Sequence, residues 1–173
     1  GNLSVVIHSD DRLKFVACWG HARRKLVEAQ TYKDERETLI GLIQKLYDIE
    51  TRAMDYSHEE RQRLRMREST LVLKCIRKYI DSPNVSGALP KSDFVEAVRY
   101  ITNHWDALNR YVEDGRIPID NNRVEQLMKQ VAMGRKAWLF VSNVAAGERS
   151  AMLMSLVSSA KRHDLDVWAY LKD

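Results

Sequence analysis

The stretch IDNNRVEQLMKQVAMGRKAWLF, residues Ile119 to Phe140, packs two asparagines, one acid, an amphipathic run and a Gly-Arg-Lys turn into little more than one helix. Asparagine side chains accept from the free N–H groups of a first helical turn, so Asn121 or Asn122 predicts a helix start. Glu125 then falls in that first turn. An acid there complements the helix dipole, and it is also a hard oxygen donor of the kind that holds divalent cations in phosphoryl transfer. Both uses remain open at this point. Asp120, five residues before Glu125, would face another side of a continuous helix, so it reads as a loop or cap residue shaping the turn.

Arg123, Lys129, Arg135 and Lys136 add positive charge around this acid, and most protein–DNA contacts are made to phosphates by such groups. The plain alternative for each is a solvated helix face. Gly134 permits a tight turn. The AWLFV run after it reads as a short strand, with Trp138, Leu139 and Phe140 packing a core in preference to stacking a base.

Working outward, LSVVIH and LKFVACW are short runs rich in β-branched and aromatic residues, separated by the polar SDDR, and predict a strand pair. Asp10 and Asp11 read as a solvated turn. Phe15–Trp19 is the expected strand. From Gly20 the spacing becomes helical through Ala22, Leu26, Ala29, Leu39, Ile43, Leu46 and Ile49. A second helix is carried by Leu64, Leu71, Cys75, Ile76 and Ile80, and ends before Pro83. Ser92 reads as the N-cap of a third, using Phe94, Val98, Ile101, Trp105 and Leu108, which EDGRIP stops. A further helix is expected from about Ala146 and a short terminal one in DVWAYL. Met128, Met152 and Met154 read as core fillers.

The 173 residues suffice for one domain with a real core. With 28 basic against 24 acidic residues the net charge is +4, which favours anionic partners without demanding them. Cys18 and Cys75 are too few for a disulfide framework or a zinc quartet. Cys18 and His21 form a lone Cys-x-x-His, better read as a packed histidine beneath a strand end. HARRK places Arg23, Arg24 and Lys25 at a helix start; they are candidate phosphate contacts or wet surface, and three neighbours cannot all face one way. No apolar stretch reaches spanning length and no leader is visible, so a cytoplasmic location is expected. One hairpin alone is marginal, and a leading Gly1 in place of methionine fits a fragment.

The blocks ACWGHARRKL, YVEDGRIPIDNNRVEQ, GRKAWLF, AAGERSAM and LDVWAYLKD, in this order and with these separations, resemble the C-terminal portion of the transposases of the insertion sequence 66 family. That resemblance implies a DDE-type, ribonuclease-H-like catalytic fold, in which two aspartates and a glutamate hold metal ions for DNA strand cleavage and joining. The glutamate maps onto Glu125, as catalytic residue and metal ligand, and the two aspartates lie upstream of Gly1. Lys129 stands where the family has an arginine, which keeps a phosphate contact and loses a bidentate one.

The expected architecture is therefore mainly α with a short β edge. Terminal strands of the catalytic sheet occupy 1–21, a helical insertion 22–115, and the glutamate-bearing helix with the C-terminal helices 116–173. Near the site, Asp120, Asn121, Asn122, His21, Gly134 and Trp138 take structural places. Mg²⁺ or Mn²⁺ is expected in the full-length enzyme and not in this chain alone. Transposon-end and target DNA are the expected partners, in a homo-oligomeric complex that accessory proteins of the element could join. The location would be the bacterial cytoplasm, at the nucleoid when DNA is bound. A non-catalytic DNA-binding or oligomerising remnant, and a plain helical interaction protein, are the alternatives.

Overall fold

The computed structural model describes residues 14–122, 124–126, 128–129, 132–133 and 143–172. The chain divides into two units, 1–121 and 122–173, and among the described residues both are built from helices.

In the first unit, α1 (Trp19–Glu28) and α2 (Lys33–Arg52) realise the helical spacing that begins at Gly20. α2 carries Asp34 and Glu35 in its first turn and Arg52 in its last, matching its dipole. It buries Leu39, Ile43, Leu46 and Ile49 along one stripe. The break between α1 and α2 is a tertiary product. Tyr32 takes the left-handed conformation at φ 50°, its ring packs on Phe94 at 5.5 Å, and its hydroxyl accepts from the Leu89 N–H at 2.8 Å.

α3 (His58–Leu64) opens on a capping box in which Ser57 and Glu60 satisfy each other's backbone N–H. It continues through a single π turn, Arg65–Ser69, into α4 (Thr70–Ile80). The Thr70 N–H reaches back to the Arg65 carbonyl, five residues away. That extra residue rotates the buried stripe. Of the expected apolar face, Leu64, Ile76 and Ile80 are buried, joined by Ser69 and Leu73, while Leu71 is 59% exposed and Cys75 is exposed.

A short turn, α5 (Pro83–Ser86), leads to α6 (Asp93–Asn103), whose N-cap is Ser92 as expected, its hydroxyl accepting from the Val95 N–H. α7 (Trp105–Asn109) follows a break at His104, and a 3₁₀ turn, Arg110–Val112, ends it. α2 packs on α1 and α4, and α1 on α6. Trp19, Leu26, Ile43, Leu46, Phe94 and Ile101 lie at the centre of the core they share.

The expected strand at Phe15–Trp19 is not formed. Residues 14–18 form neither helix nor strand, with Cys18 extended, and Trp19 already begins α1; no strand occurs among the described residues. The reason lies in where the N–H groups go. That of Ala17 bonds the Ala107 carbonyl at 3.0 Å and that of Trp19 the Ile119 carbonyl at 3.2 Å, so a helix end and a loop take the place of a neighbouring strand. The proposed partner run, the SDDR turn and the AWLFV run lie outside the described residues.

In the second unit, residues 122, 124–126, 128, 129, 132 and 133 are helical, which bears out a helix beginning close to Asn121. α8 (Val144–Arg162) starts where Asn143 accepts from the Ala146 N–H at 2.8 Å, and α9 (Val167–Lys172) closes the chain. Of the methionines read as core, Met128 and Met152 are exposed and only Met154 is half-buried. Ala160 is the one fully buried residue of 122–173 among those described, so this stretch by itself encloses no core for them.

Candidate functional site

The run Tyr111–Asp120 carries the chain from the first unit toward Glu125, and it has no helix or strand ladder to satisfy its carbonyls beyond the 3₁₀ turn. Donors from the helical block do so instead. Arg65, only 1% exposed, brackets Glu50 with two parallel bonds, Nε to Oε1 at 2.8 Å and Nη2 to Oε2 at 2.6 Å. Its Nη1 faces the carbonyls of Tyr111 at 2.7 Å, Asp114 at 2.9 Å and Ile117 at 2.9 Å. The guanidinium also lies 5.0 Å above the Tyr111 ring centroid. Arg61 donates to the Gly115 carbonyl at 3.3 Å and Gln62 to that of Glu113.

At the far end of the run, Tyr47 donates its hydroxyl hydrogen to Asp120 Oδ2 at 3.1 Å. Burial, and then the negative charge of Asp120, push the phenol well above its ordinary value of 10.0. Cys18 and Arg23 are near enough to contribute to the same field. Asp120 is thus a partly buried acceptor tied to α2, and more than a loop residue. A cleft of about 510 Å³ opens here, between Ala17 and Cys18 on one side and Arg116, Pro118, Asp120 and Asn121 on the other. At its rim Arg116 grips Asp114, Nη2 to Oδ2 at 2.6 Å, and holds that carboxyl at about 2.

Five residues beyond Asp120, Glu125 is helical and half-buried, Lys129 is exposed on the same helix, and Asn121 and Asn122 are exposed at its start. Arg123, Gly134, Arg135, Lys136 and Trp138 lie outside the described residues, so the expected common surface of Glu125 with Arg123, Arg135 and Lys136 does too. Arg23, Arg24 and Lys25 are all exposed on α1 and fan apart: Lys25 lies 5.3 Å over the Tyr100 ring, while Arg23 is on the Tyr47 side. His21 is half-buried and Cys18 buried.

Among the described residues no three carboxylate, imidazole or thiol side chains gather as a metal ion requires. Glu125 has the right donor chemistry, a hard oxygen on a partly buried helical turn, for one ligand of such a set. No helix among the described residues is long and apolar enough to cross a membrane.

Arg65, Glu50 and Tyr47 were not legible as site residues. Arg65 and Glu50 fall among other charged residues on helices and look like surface. The one signal was its helical register, since Arg65 stands four and eight residues before the buried Ser69 and Leu73.

A match to the transposase IS66 family covers residues 5–149. The chain belongs to that family. The uncharacterized protein y4jD of Sinorhizobium fredii (strain NBRC 101917 / NGR234) is 37% identical over 164 residues, covering 93% of this chain and 32% of its own. Uncharacterized protein y4hP of the same organism is 25% identical over 175 residues, with 93% and 32% covered. A third, y4qI, is 27% identical over 163 residues, with 91% and 30% covered. This IS66-family chain thus spans about a third of the length of the curated relatives it matches. No solved structure matches it.

Proposed function

We propose that this chain is the C-terminal part of a longer IS66-family transposase that cuts and joins transposon-end DNA by metal-dependent phosphoryl transfer on a ribonuclease-H-like DDE fold. The reading rests on Glu125, the position onto which the sequence resemblance carries the family's glutamate; it lies inside the matched residues and is helical and half-buried, after an anchored run. Glu125 would hold Mg²⁺ or Mn²⁺ jointly with two aspartates from the rest of the protein. Bound there, such ions polarise the scissile phosphate and stabilise the charge that develops on it.

The chain's own residues supply position and charge. Lys129 lies one helical turn beyond Glu125, within reach of the same phosphate backbone. Arg23, Arg24 and Lys25, with Arg123, Arg135 and Lys136, serve as further contacts to transposon-end or target DNA. A homo-oligomeric complex would bring two transposon ends together.

In the full-length protein, Glu125→Gln keeps shape and removes the charge that retains the cation. It is expected to abolish cleavage of labelled transposon-end DNA while a parallel titration shows DNA binding retained. Robust cleavage by Glu125→Gln would sink the metal-ligand role. Absence of cleavage by the wild-type full-length protein, with DNA binding present, would favour a DNA-binding module without chemistry.

A further inference from the structure

Tyr47 and Glu50 lie three positions apart on one face of α2, and each holds a different end of the same run. Tyr47 bonds Asp120 directly. Glu50 fixes Arg65, whose Nη1 gathers the carbonyls of Tyr111, Asp114 and Ile117. Arg61 and Gln62 take the carbonyls of Gly115 and Glu113 between them, and the Trp19 N–H takes that of Ile119. Seven acceptors in ten residues are thereby held from outside, where a surface loop would leave most of them to water.

A buried guanidinium is a poor device for stability alone, since apolar side chains of similar volume often do as well or better. What it offers is geometry: five donors in a rigid planar fork, able to bracket one carboxylate and reach several carbonyls at once. The single π turn in α3–α4 begins at Arg65, and such turns recur at functional sites.

We propose that Arg65 is a positioning residue of the transposase: with Glu50 and Tyr47 it fixes the run Tyr111–Asp120, and so the point at which the chain enters the glutamate helix. This rests on the reading of Glu125 as metal ligand. Arg65 then acts through the loop, without itself touching DNA or metal.

The test compares wild-type, Arg65→Lys and Tyr47→Phe forms of the full-length protein. Lysine keeps the charge, but its single ammonium cannot bracket Glu50 and reach three carbonyls together. Amide hydrogen exchange is expected to quicken across 111–122 in Arg65→Lys. Affinity for transposon-end DNA should stay near wild type while the cleavage rate falls roughly 10- to 100-fold, with more Mg²⁺ needed for half-maximal rate. Should Arg65→Lys not fold, Tyr47→Phe carries the test, with faster exchange confined to 117–122 and a smaller loss of the same kind.

Unchanged exchange in a folded variant overturns the inference. So do wild-type cleavage and Mg²⁺ dependence despite faster exchange. Glu125→Gln, run alongside, keeps the two readings apart. If it cleaves, the metal-ligand assignment has failed, while the exchange profile still reports whether Arg65 holds the loop.

Discussion

Gly115 passes so close to His58 that a Cβ at position 115 would overlap the His58 carbonyl group. The contact joins the loop before the glutamate helix to the first residue of α3, backbone against backbone, so neither side can yield by turning a side chain. Gly115→Ala should therefore cost about 2–3 kcal/mol, the upper range for overpacking. Gly41 is the internal control, since a Cβ there meets nothing within 4 Å on the exposed side of α2. Gly41→Ala should gain roughly 0.5–1 kcal/mol. Paired chemical melts of the 173-residue chain check both signs, and a Gly115→Ala protein as stable as wild type would contradict the close approach.

The Tyr47 phenol is raised above 10.0 by burial and then by Asp120. In the unfolded chain it ionises near its ordinary value, so this group's contribution to stability is complete below pH 10 and declines as pH rises beyond it. Wild-type stability should fall with pH above 10, and Tyr47→Phe should fall less steeply. Tyr111, raised for the same first reason, keeps some of the slope in the variant. Equal slopes for the two proteins would show that Tyr47 is not held neutral by its surroundings.

Asp93 sets the opposite limit. The Thr31 hydroxyl, followed by the Gln30 N–H, holds its carboxyl at about 2, against an ordinary 3.8. A depressed value means a contribution complete above pH 3.8 that disappears as pH falls through about 2. Asp93→Asn should remove that part of the acid sensitivity and loosen the α1–α2 turn. Thermal melts between pH 2 and 5 test this, and identical acid profiles for variant and wild type would refute it.

Arg23, Arg24 and Lys25 fan apart on α1, so a single DNA strand can engage only some of them. If the chain binds transposon-end DNA through phosphates, reversing Arg23, the one on the Tyr47 side, should reduce the steepness of affinity against salt by about one counterion. Lys25, stacked on Tyr100, should matter less. The isolated 173-residue chain should neither cleave nor join such DNA in Mg²⁺ or Mn²⁺, because it brings one proposed ligand of three. Titrations at several salt concentrations, with a cleavage lane beside each, check both statements.

Local chemistry was enough for much of this chain. Ser92 before an apolar stripe, Asn121 and Asn122 before Glu125, and the spacing of Leu39, Ile43, Leu46 and Ile49 each specify a helix or its start through neighbours three or four residues away. The sequence therefore determined the helical class, most helix starts and the family. It could not determine that Arg65 is buried, because a guanidinium goes inside only where partners such as Glu50 and the loop carbonyls meet it, nor foresee the extra residue of the π turn, which is stabilised by what its side chains meet across the core. That extra residue is why Leu71 and Cys75 were misassigned. Nor could Phe15–Trp19 announce that its N–H groups would bond Ala107 and Ile119, since extended backbone becomes a strand only when another strand lies beside it. Tyr47 with Asp120, and Arg65 with the loop carbonyls, are pairings across 46 to 73 positions of sequence. Only packing the helices against one another brings such groups within hydrogen-bond reach, and so only the tertiary structure decided how the approach to Glu125 is held.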